Sequence, residues 1–284
     1  MNIWKVMNKL PSRVKDFVGE VTLDKEKYIV TTVDHIRSPE VIKQIQNYCN
    51  EKELAPKVFY ANRNFMVQEY IVSEKLPLPM SCFSTFGWYI AMLHKELRGI
   101  QVNPEVLRSM NLFELEYSKR YLEKLFNNRD AQTMLSILDK FMAIMNKVGI
   151  SKFETSLIHG DLNSSNIIYS KQRLNFIDFD NCTYFPQSYE VLRFFFQYFD
   201  FQEADSSIFN YFEEFIVSYN SINKLTNVEW ESALTFYLKV LVTDISMVED
   251  KNFFQARALR AQFIADNFKR LKNCINISIM KEKN

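Results

Sequence analysis

The chain has 284 residues, of which 47% are hydrophobic and 15% aromatic, so it can bury a sizeable core and is not intrinsically disordered. Lys and Arg total 35 against 34 Asp and Glu, which argues against a nucleic-acid-binding protein, because such proteins need a basic surplus to neutralise phosphate. The N-terminus lacks an uninterrupted apolar stretch, and no segment approaches the roughly 20 apolar residues of a membrane helix. We therefore expect a cytoplasmic protein with no membrane partner.

The glycines and cysteines exclude several common sites. The five glycines are too widely spaced to form a GxGxxG turn or a GxxxxGK loop, which excludes a Rossmann fingerprint and a Walker A motif. The four cysteines contain no CxxC pair, so we expect free and mostly buried thiols in a reducing compartment: Cys49, Cys82, Cys182 and Cys274.

The first 72 residues predict a small part with the element order ββαββ. Four apolar, β-branched runs predict its strands: residues 20–24, 27–33, 57–61 and 64–72. Pro39 begins a predicted helix that ends near Glu53, with Ser38 as its cap. We assign residues 1–72 to a small N-terminal domain and residues 73–80, which contain two prolines, to a connector.

From residue 81 the apolar period becomes helical. Apolar residues at three- and four-residue steps predict three helices: residues 83–98, 105–126 and 131–148, the last capped by Asp130. From Ser188 onward the sequence again predicts helices, and one of them opens with a capping box from Thr226 to Glu229. The fold class is therefore α+β, with a small antiparallel sheet followed by a larger, mainly helical domain over residues 81–284.

The segment 157–180 concentrates the residues that can carry chemistry. His159-Gly160-Asp161 follows a short strand, Asn166 comes five residues later, and a second strand leads from a turn to Asp178. Because the turn brings the strand ends together, Asp161, Asn166 and Asp178 can converge. Asn166 and Asp178 are candidate Mg²⁺ ligands, since this ion prefers oxygen ligands from one or two carboxylates, phosphates and water. Asp161 is the candidate base that accepts a hydroxyl proton, as kinase phosphoryl transfer requires.

This pattern, HxDxxxxN followed by a strand ending in Asp-Phe-Asp, resembles the aminoglycoside phosphotransferase and choline kinase-like family of small-molecule kinases. Phe65–Ile71 is similar to the family's hinge strand, and Ala91–His94 to its LAxLH helix. The resemblance implies a bilobal protein-kinase-like fold, with a small antiparallel-sheet N-lobe and a large, mainly helical C-lobe. It also implies ATP and Mg²⁺ as cofactors, a small-molecule hydroxyl as acceptor, and backbone contacts from Glu69 and Ile71 to adenine.

Two departures from the family pattern leave an alternative open. Members usually carry a Lys or Arg on the third strand to hold the phosphates, and here Thr31 or Thr32 stands at that position, with Lys27 the nearest cation. In the catalytic segment Asn163 likewise supplies no cation for the phosphates. The alternative is a pseudokinase, a nucleotide-binding module that docks a partner without catalysis.

The charge distribution of the C-terminal part also allows two interpretations. Residues 200–250 contain ten acids and only two basic residues, whereas residues 251–284 contain eight basic residues and two acids. These stretches are either helix faces that attract each other, or the acidic stretch lines a site for a cationic acceptor such as an aminoglycoside, an amino sugar or choline. Asp180 is either a turn residue or a further acid of the site, and His159 is expected to support its loop by hydrogen bonding.

Overall fold

The computed structural model describes residues 18–32, 38–74, 83–107, 114–125, 127–198, 206–244 and 249–281. The chain forms two compact units, each built from separate parts of the sequence. The first unit contains described residues from 1–77, 93–109 and 157–184; the second contains described residues from 78–92, 110–156 and 185–284. The division in chain order, with boundaries after residues 72 and 80, stays a prediction.

The first unit contains a four-stranded antiparallel sheet in the order β1-β2-β4-β3. Its strands are β1 (Val18–Leu23), β2 (Glu26–Thr32), β3 (Val58–Ala61) and β4 (Phe65–Glu69). Asp24 and Lys25 join β1 to β2 with φ angles of 49° and 71°, as a two-residue hairpin turn requires. The predicted order ββαββ is confirmed, although the last strand ends at Glu69 and not at Val72.

Helix α1 (Pro39–Glu51) lies between the two hairpins in the chain, with proline in its first turn. Ser38 occupies the N-cap position, but its side chain makes no capping hydrogen bond. Gln46 is fully buried, and its Nε2 donates to the carbonyl oxygen of Pro56 at 3.0 Å and to Oε1 of Gln68 at 2.9 Å. Neutral amide hydrogen bonds therefore connect α1 to β4.

Four further short strands lie within or beside residues 157–184. They are β5 (Thr155–Ile158), β6 (Ile167–Ser170), β7 (Arg173–Phe176) and β8 (Thr183–Pro186). Strands β6 and β7 form an antiparallel hairpin, and β5 pairs with β8. Two 3₁₀ turns flank the hairpin, at Ser164–Asn166 before β6 and at Phe179–Asn181 after β7. The sequence predicted β7 and the turn before it, whereas it did not predict β6.

The remaining described part of the chain is mainly helical. Its α-helices are α2 (Phe83–Arg98), α3 (Leu115–Lys124), α4 (Arg129–Met145), α5 (Gln187–Gln197), α6 (Ile208–Ile222), α7 (Asn227–Thr243), α8 (Lys251–Asp266) and α9 (Phe268–Lys281). The predicted helix over 105–126 is wrong in extent, because a 3₁₀ turn at Pro104–Val106 precedes a separate α3. No described helix combines the length and the apolar character that crossing a membrane requires.

The helix caps confirm one prediction and correct another. The hydroxyl oxygen of Thr226 accepts a hydrogen bond from the backbone N–H of Glu229 at 3.2 Å, as expected at the start of α7. Asp130 does not cap α4; Oδ1 of Asn128 accepts from the N–H groups of Asp130 and Ala131 instead. Both residue types cap helices well, and the chain enters this helix two residues earlier than predicted.

Aromatic side chains form the core of the second unit. The rings of Phe194 and Phe195 on α5 and of Phe212 and Phe215 on α6 are almost completely buried, so these two helices contribute to the core. Helix α2 meets α6 at Gly87, where an added Cβ would lie 2.4 Å from the carbonyl oxygen of Phe215. Only glycine permits this close approach of the two backbones. The described thiols of Cys49, Cys182 and Cys274 are free and buried, as predicted, and Cys82 lies outside the described residues.

Candidate active site

His159 anchors the segment that follows β5. Its ring is fully buried, and its Nε2 donates to the carbonyl oxygen of Ile177 at 2.8 Å. The ring also packs against Phe179 with a centroid distance of 4.7 Å. As expected from the sequence, His159 supports its loop: it ties the loop after β5 to the chain that leaves β7.

Gly160 permits the closest approach between these two segments. Its φ is +82°, and an added Cβ would lie 1.9 Å from the carbonyl oxygen of Asn181. Both the backbone angle and the space exclude a side chain at this position. The Gly of the His-Gly-Asp sequence therefore lets the loop that carries Asp161 pack against the 3₁₀ turn that follows Asp178.

Asn166 is held in a fixed orientation by Asp161. Its Nδ2 donates to the backbone oxygen of Asp161 at 2.8 Å and approaches Oδ2 of the same residue at 3.3 Å. Its backbone oxygen accepts from the N–H of Ile177 at 3.0 Å, which connects Asn166 to the end of β7. Because the amide nitrogen makes these contacts, Oδ1 of Asn166 is the side-chain atom available to a ligand.

Asp178 lies next to both residues and has an unusual backbone. Its φ of 65° and ψ of 60° fall in the left-handed region, where non-glycine residues are uncommon. Burial raises the pKa of its carboxyl group, the charge of Asp161 raises it further, and His159 acts in the opposite direction. The structure thus brings Asp161, Asn166 and Asp178 together, as the motif spacing predicts.

Asp180 adds a second carboxyl group that the sequence left undecided. Its Oδ1 is buried and has no hydrogen-bond partner among the described residues. Burial, and secondly the charge of Asp178, raise the pKa of Asp180 to about 7. A side chain that only stabilised a turn would have its oxygens hydrogen-bonded, so this environment favours a further acid of the site.

The donor set fits a hard cation that takes part of its shell from a substrate. Asn166 and Asp178 offer an amide oxygen and a carboxylate, and Mg²⁺ is commonly held by one or two carboxylates together with phosphate oxygens and water. The described residues contain no group of three or more His, Cys, Asp or Glu able to hold a metal by themselves. Two neighbouring carboxyl groups with raised pKa values would both be favoured in their charged form by a divalent cation.

The residues predicted to meet adenine border a cavity. Glu69 ends β4, where its N–H donates to the carbonyl oxygen of Lys57 at 2.8 Å, and Ile71 follows the strand half-buried. The segment 69–72 lines a cavity of about 490 Å³, within the usual range of small-molecule sites. Ser170 and Asn175 of the β6–β7 hairpin contribute to the same cavity.

The departure at the phosphate-binding strand persists in the structure. Thr31 lies on β2 opposite Met66 of β4, and Thr32 lies opposite Phe65. Lys27 stands at the start of β2, where its ammonium group forms an exposed ion pair with Glu20 at 2.6 Å. Glu40, the acid in the first turn of α1, is exposed. The described part of β2 therefore presents no cation at the expected position.

Several residues of the acidic stretch have structural roles in the second unit. Asp244 pairs with Arg257 at 2.9 Å, and Asp250 caps α8 by accepting from the N–H of Phe253 at 3.1 Å. Glu229 is buried in the first turn of α7. Asp200, Glu203 and Asp205 lie outside the described residues. At these described positions the structure favours the first interpretation, in which the acidic and basic stretches are helix segments that attract each other.

Comparisons with known proteins agree with this site. The family model of choline/ethanolamine kinases matches residues 27–228. The amicoumacin kinase hAmiN, in complex with AMP-PNP, Ca²⁺ and Ami, superposes with a TM-score of 0.64 at 16% identity, covering 94% of each chain. An aminoglycoside phosphotransferase from Alicyclobacillus acidocaldarius gives 0.62 at 13% identity, over 95% of this chain and 91% of that one. An ethanolamine kinase from Plasmodium vivax gives 0.55 at 16% identity, over 90% and 81%. No curated protein sequence matches the chain.

The structural similarities confirm the expected fold, a protein-kinase-like fold with a small N-terminal antiparallel sheet and a mainly helical C-terminal part. The family model covers well over half of the chain, including the hinge segment and the complete segment from His159 to Asp180. The chain therefore belongs to the choline/ethanolamine kinase family of small-molecule kinases, phosphotransferases that act on a hydroxyl acceptor.

Proposed function

We propose that the chain transfers the terminal phosphoryl group of ATP, with Mg²⁺, to a hydroxyl group of a small, amine-bearing molecule. The observation that carries this proposal is the convergence of Asp161, Asn166 and Asp178 at the start and the end of the β6–β7 hairpin. Oδ1 of Asn166 and the carboxylate of Asp178 would hold the metal. Bound Mg²⁺ would neutralise the charge that spreads over the phosphates during transfer.

Asp161 would orient the acceptor and take its proton. Its backbone oxygen accepts the hydrogen bond from Nδ2 of Asn166, which fixes the loop, while its carboxylate stays half-buried beside the metal-binding pair. A carboxylate in this place can accept a hydrogen bond from a hydroxyl group and receive its proton as the new P–O bond forms. The acceptor oxygen gains the phosphoryl group, and ADP leaves.

The β6 strand gives a physical link between the two ends of the nucleotide. Asn166 precedes this strand, and Ser170 at its other end lines the cavity that Glu69 and Ile71 also border. Four residues of extended chain span roughly 13 Å. A nucleotide with its base near the segment 69–72 and its phosphates near Asn166 would run along this strand.

The proposed preference for an amine-bearing acceptor rests on the family of the chain and on its exposed acidic residues. The matching family is named for choline and ethanolamine, and one of the similar structures is an aminoglycoside phosphotransferase; all these acceptors carry cationic nitrogen. The exposed acids Glu214 and Glu231 are not used as helix caps or in the Asp244–Arg257 pair, so they are available to attract a cation.

A pseudokinase remains the second candidate because of one specific observation. The strand position that usually carries the phosphate-binding cation has Thr31 or Thr32, and the side-chain hydrogen bond between α1 and β4 joins two neutral amides, those of Gln46 and Gln68. Loss of that cation would remove part of the electrostatic stabilisation of the transition state. Measurable turnover with a hydroxylated amine would exclude this candidate; nucleotide binding without turnover would favour it.

The first test concerns the metal site. Asp178→Ala should abolish the Mg²⁺-dependent part of ATP binding, because it removes the only charged member of the ligand pair. Isothermal calorimetry with and without Mg²⁺ measures this directly, with Asp139→Ala on the exposed surface of α4 as the matched control. Equal ATP affinities in the wild type and in Asp178→Ala, whether Mg²⁺ is present or absent, would contradict the assignment.

The second test concerns the base. Asp161→Asn keeps the shape and the backbone hydrogen bond but cannot accept a proton, so kcat should fall by about 10²–10⁴-fold. ATP affinity should change little, since Asp161 does not bind the metal in this arrangement. Steady-state kinetics with a panel of hydroxylated amines, neutral sugars and amino acids provides the measurement. A variant with most of its turnover intact would show that another group is the base.

A further inference from the structure

Asn163 occupies a central position in the loop between Asp161 and Asn166. Its Nδ2 donates to the backbone oxygen of Asp161 at 2.9 Å, and its Oδ1 accepts from the N–H of Ser165 at 2.9 Å and from the hydroxyl of the same residue. Its backbone oxygen accepts from the N–H of Asn166 at 3.1 Å. One residue thus contacts both the candidate base and the candidate metal ligand.

The backbone oxygen of Asp161 is shared by two amide groups. Nδ2 of Asn163 and Nδ2 of Asn166 both donate to it, at 2.9 Å and 2.8 Å. A carbonyl oxygen has two lone pairs, so these two donors saturate it and fix its direction. The rotation of the Asn166 amide, and with it the direction of Oδ1, depends on where this carbonyl points. Asn163 restrains that carbonyl from the other side.

Both ends of the Asn163 amide make hydrogen bonds within the loop, which fixes the orientation of this side chain. Its oxygen caps the 3₁₀ turn Ser164–Asn166, and its nitrogen is directed at Asp161. The side chain carries no charge, so it adds no electrostatic attraction of its own to a nucleotide. The hydrogen bonds that it makes lead to Asp161 and Asn166, so its effect on the chemistry is expected to pass through these two residues.

We propose that Asn163 is a positioning residue that sets the orientation of the Asn166 oxygen toward Mg²⁺ and of Asp161 toward the acceptor. The inference rests on the proposed function and adds a residue to it. Residues that orient a metal ligand typically change metal affinity or activity by about 10–100-fold when they are replaced. Asn163 should behave in this way although it touches neither the metal nor the substrate.

The test separates the two hydrogen bonds of the side chain. Asn163→Ser keeps an oxygen that can cap the 3₁₀ turn but is too short to donate to Asp161, whereas Asn163→Ala loses both functions. Ser164→Ala, at an exposed neighbouring position, is the matched control. The measurements are kcat, the Mg²⁺ concentration at half-maximal rate, Mg²⁺-dependent ATP binding by calorimetry, and the thermal unfolding midpoint.

We expect Asn163→Ser to raise the required Mg²⁺ concentration about tenfold and to lower kcat about 10–100-fold, with an unfolding midpoint close to that of the wild type. Ser164→Ala should match the wild type in all four measurements. If Asn163→Ser binds Mg²⁺–ATP and turns over like the wild type, or loses activity with no change in its Mg²⁺ dependence, the inference is overturned while the proposed function stands. A wild type that binds no Mg²⁺–ATP overturns both.

Discussion

Two carboxyl groups of the site, those of Asp178 and Asp180, lie in surroundings that are costly for a folded protein. Asp178 adopts a left-handed backbone, which costs about 1–2 kcal/mol for a residue with a Cβ. Burial raises the pKa of both carboxyl groups, and the charge of Asp178 raises the pKa of Asp180 further. A protein keeps such an arrangement where the charges meet a ligand, because a cation would offset the repulsion that the protein alone leaves in place.

The raised pKa of Asp180 predicts a pH-dependent stability in the metal-free protein. The pKa is about 7 in the folded state against an ordinary value of 3.8, so the folded state keeps a proton that the unfolded chain releases between these values. The contribution to stability is complete below about pH 4, falls as the pH rises to about 7, and stays constant above it. Asp180→Asn removes this pH-dependent loss of stability, because the amide does not ionise. The variant should therefore be more stable than the wild type at pH 8, by at most about 4 kcal/mol.

Urea unfolding in EDTA at pH 4, 6 and 8 checks this expectation. The difference between Asp180→Asn and the wild type should be near zero at pH 4 and should grow towards pH 8. Asp139→Asn, an exposed acid on α4, serves as the control and should show no such trend. A difference of the same size at all three pH values would mean that the Asp180 carboxyl group titrates normally.

At the scale of elements, the β6–β7 hairpin is the scaffold of the site. Lys171 and Gln172 form its turn with φ angles of 49° and 62°, which is unfavourable for residues other than glycine or asparagine. Contacts to other segments of the first unit compensate for this: the N–H of Lys171 donates to Oε1 of Glu74 at 2.9 Å, and Arg173 pairs with Glu53. The hairpin therefore depends on the chain around it, and so does the separation between Asn166 and Asp178.

The contact between the His-Gly-Asp loop and the 3₁₀ turn Phe179–Asn181 gives a prediction for Gly160. Gly160→Ala places a methyl group 1.9 Å from the carbonyl oxygen of Asn181 and forces a positive φ on alanine. The loop must move, so we expect stability to drop by at least about 2 kcal/mol and turnover to slow by roughly a hundredfold or more.

Gly149→Ala is the matched control for this substitution. Gly149 has a φ of −117°, and an added Cβ would lie 3.7 Å from Oγ of Ser151, an ordinary contact. This variant should unfold at nearly the wild-type temperature and keep wild-type turnover. Thermal unfolding and steady-state kinetics of both variants decide the matter: if Gly160→Ala behaves like Gly149→Ala, the loop does not need the close approach.

The elements also show which features a sequence can predict. The spacing of Asp161, Asn166 and Asp178 predicts that these residues lie close together, as they do, although the sequence did not predict β6, the strand that pairs with β7. The partnership of Gln46 and Gln68 was invisible, since it joins residues 22 positions apart and depends on how α1 packs on the sheet. The left-handed backbone of Asp178 was equally hidden, as no local sequence signal required it. The proximity of residues within one local segment is predictable here, whereas polar contacts between distant segments are not.

At the scale of the whole molecule, the basic C-terminal stretch is used inside the second unit. Arg257 donates to the carbonyl oxygens of Val240 and Leu241 at the end of α7, and Arg260 donates to Phe196 at the end of α5. Both arginines therefore complement helix C-termini, where backbone carbonyls lack partners. The ion pair between Arg257 and Asp244 joins the basic and acidic stretches, whereas Glu214 and Glu231 are exposed and can present their charge to solvent or a ligand.

This charge distribution predicts a salt-dependent acceptor affinity. If exposed acids of the second unit attract a cationic acceptor, KM for that acceptor should rise about two- to tenfold between low salt and about 0.5 M salt, because the Debye length shortens to a few ångströms. The double variant Glu214→Gln/Glu231→Gln should raise KM more than it lowers kcat and should weaken the salt dependence. Glu229 is left intact because its side chain is buried in the first turn of α7. Glu105→Gln, an exposed acid of the first unit, is the control and should leave KM unchanged. A neutral or anionic acceptor would contradict the electrostatic attraction, and so would a cationic acceptor whose KM does not change with salt concentration. Either result would leave the phosphotransferase assignment intact.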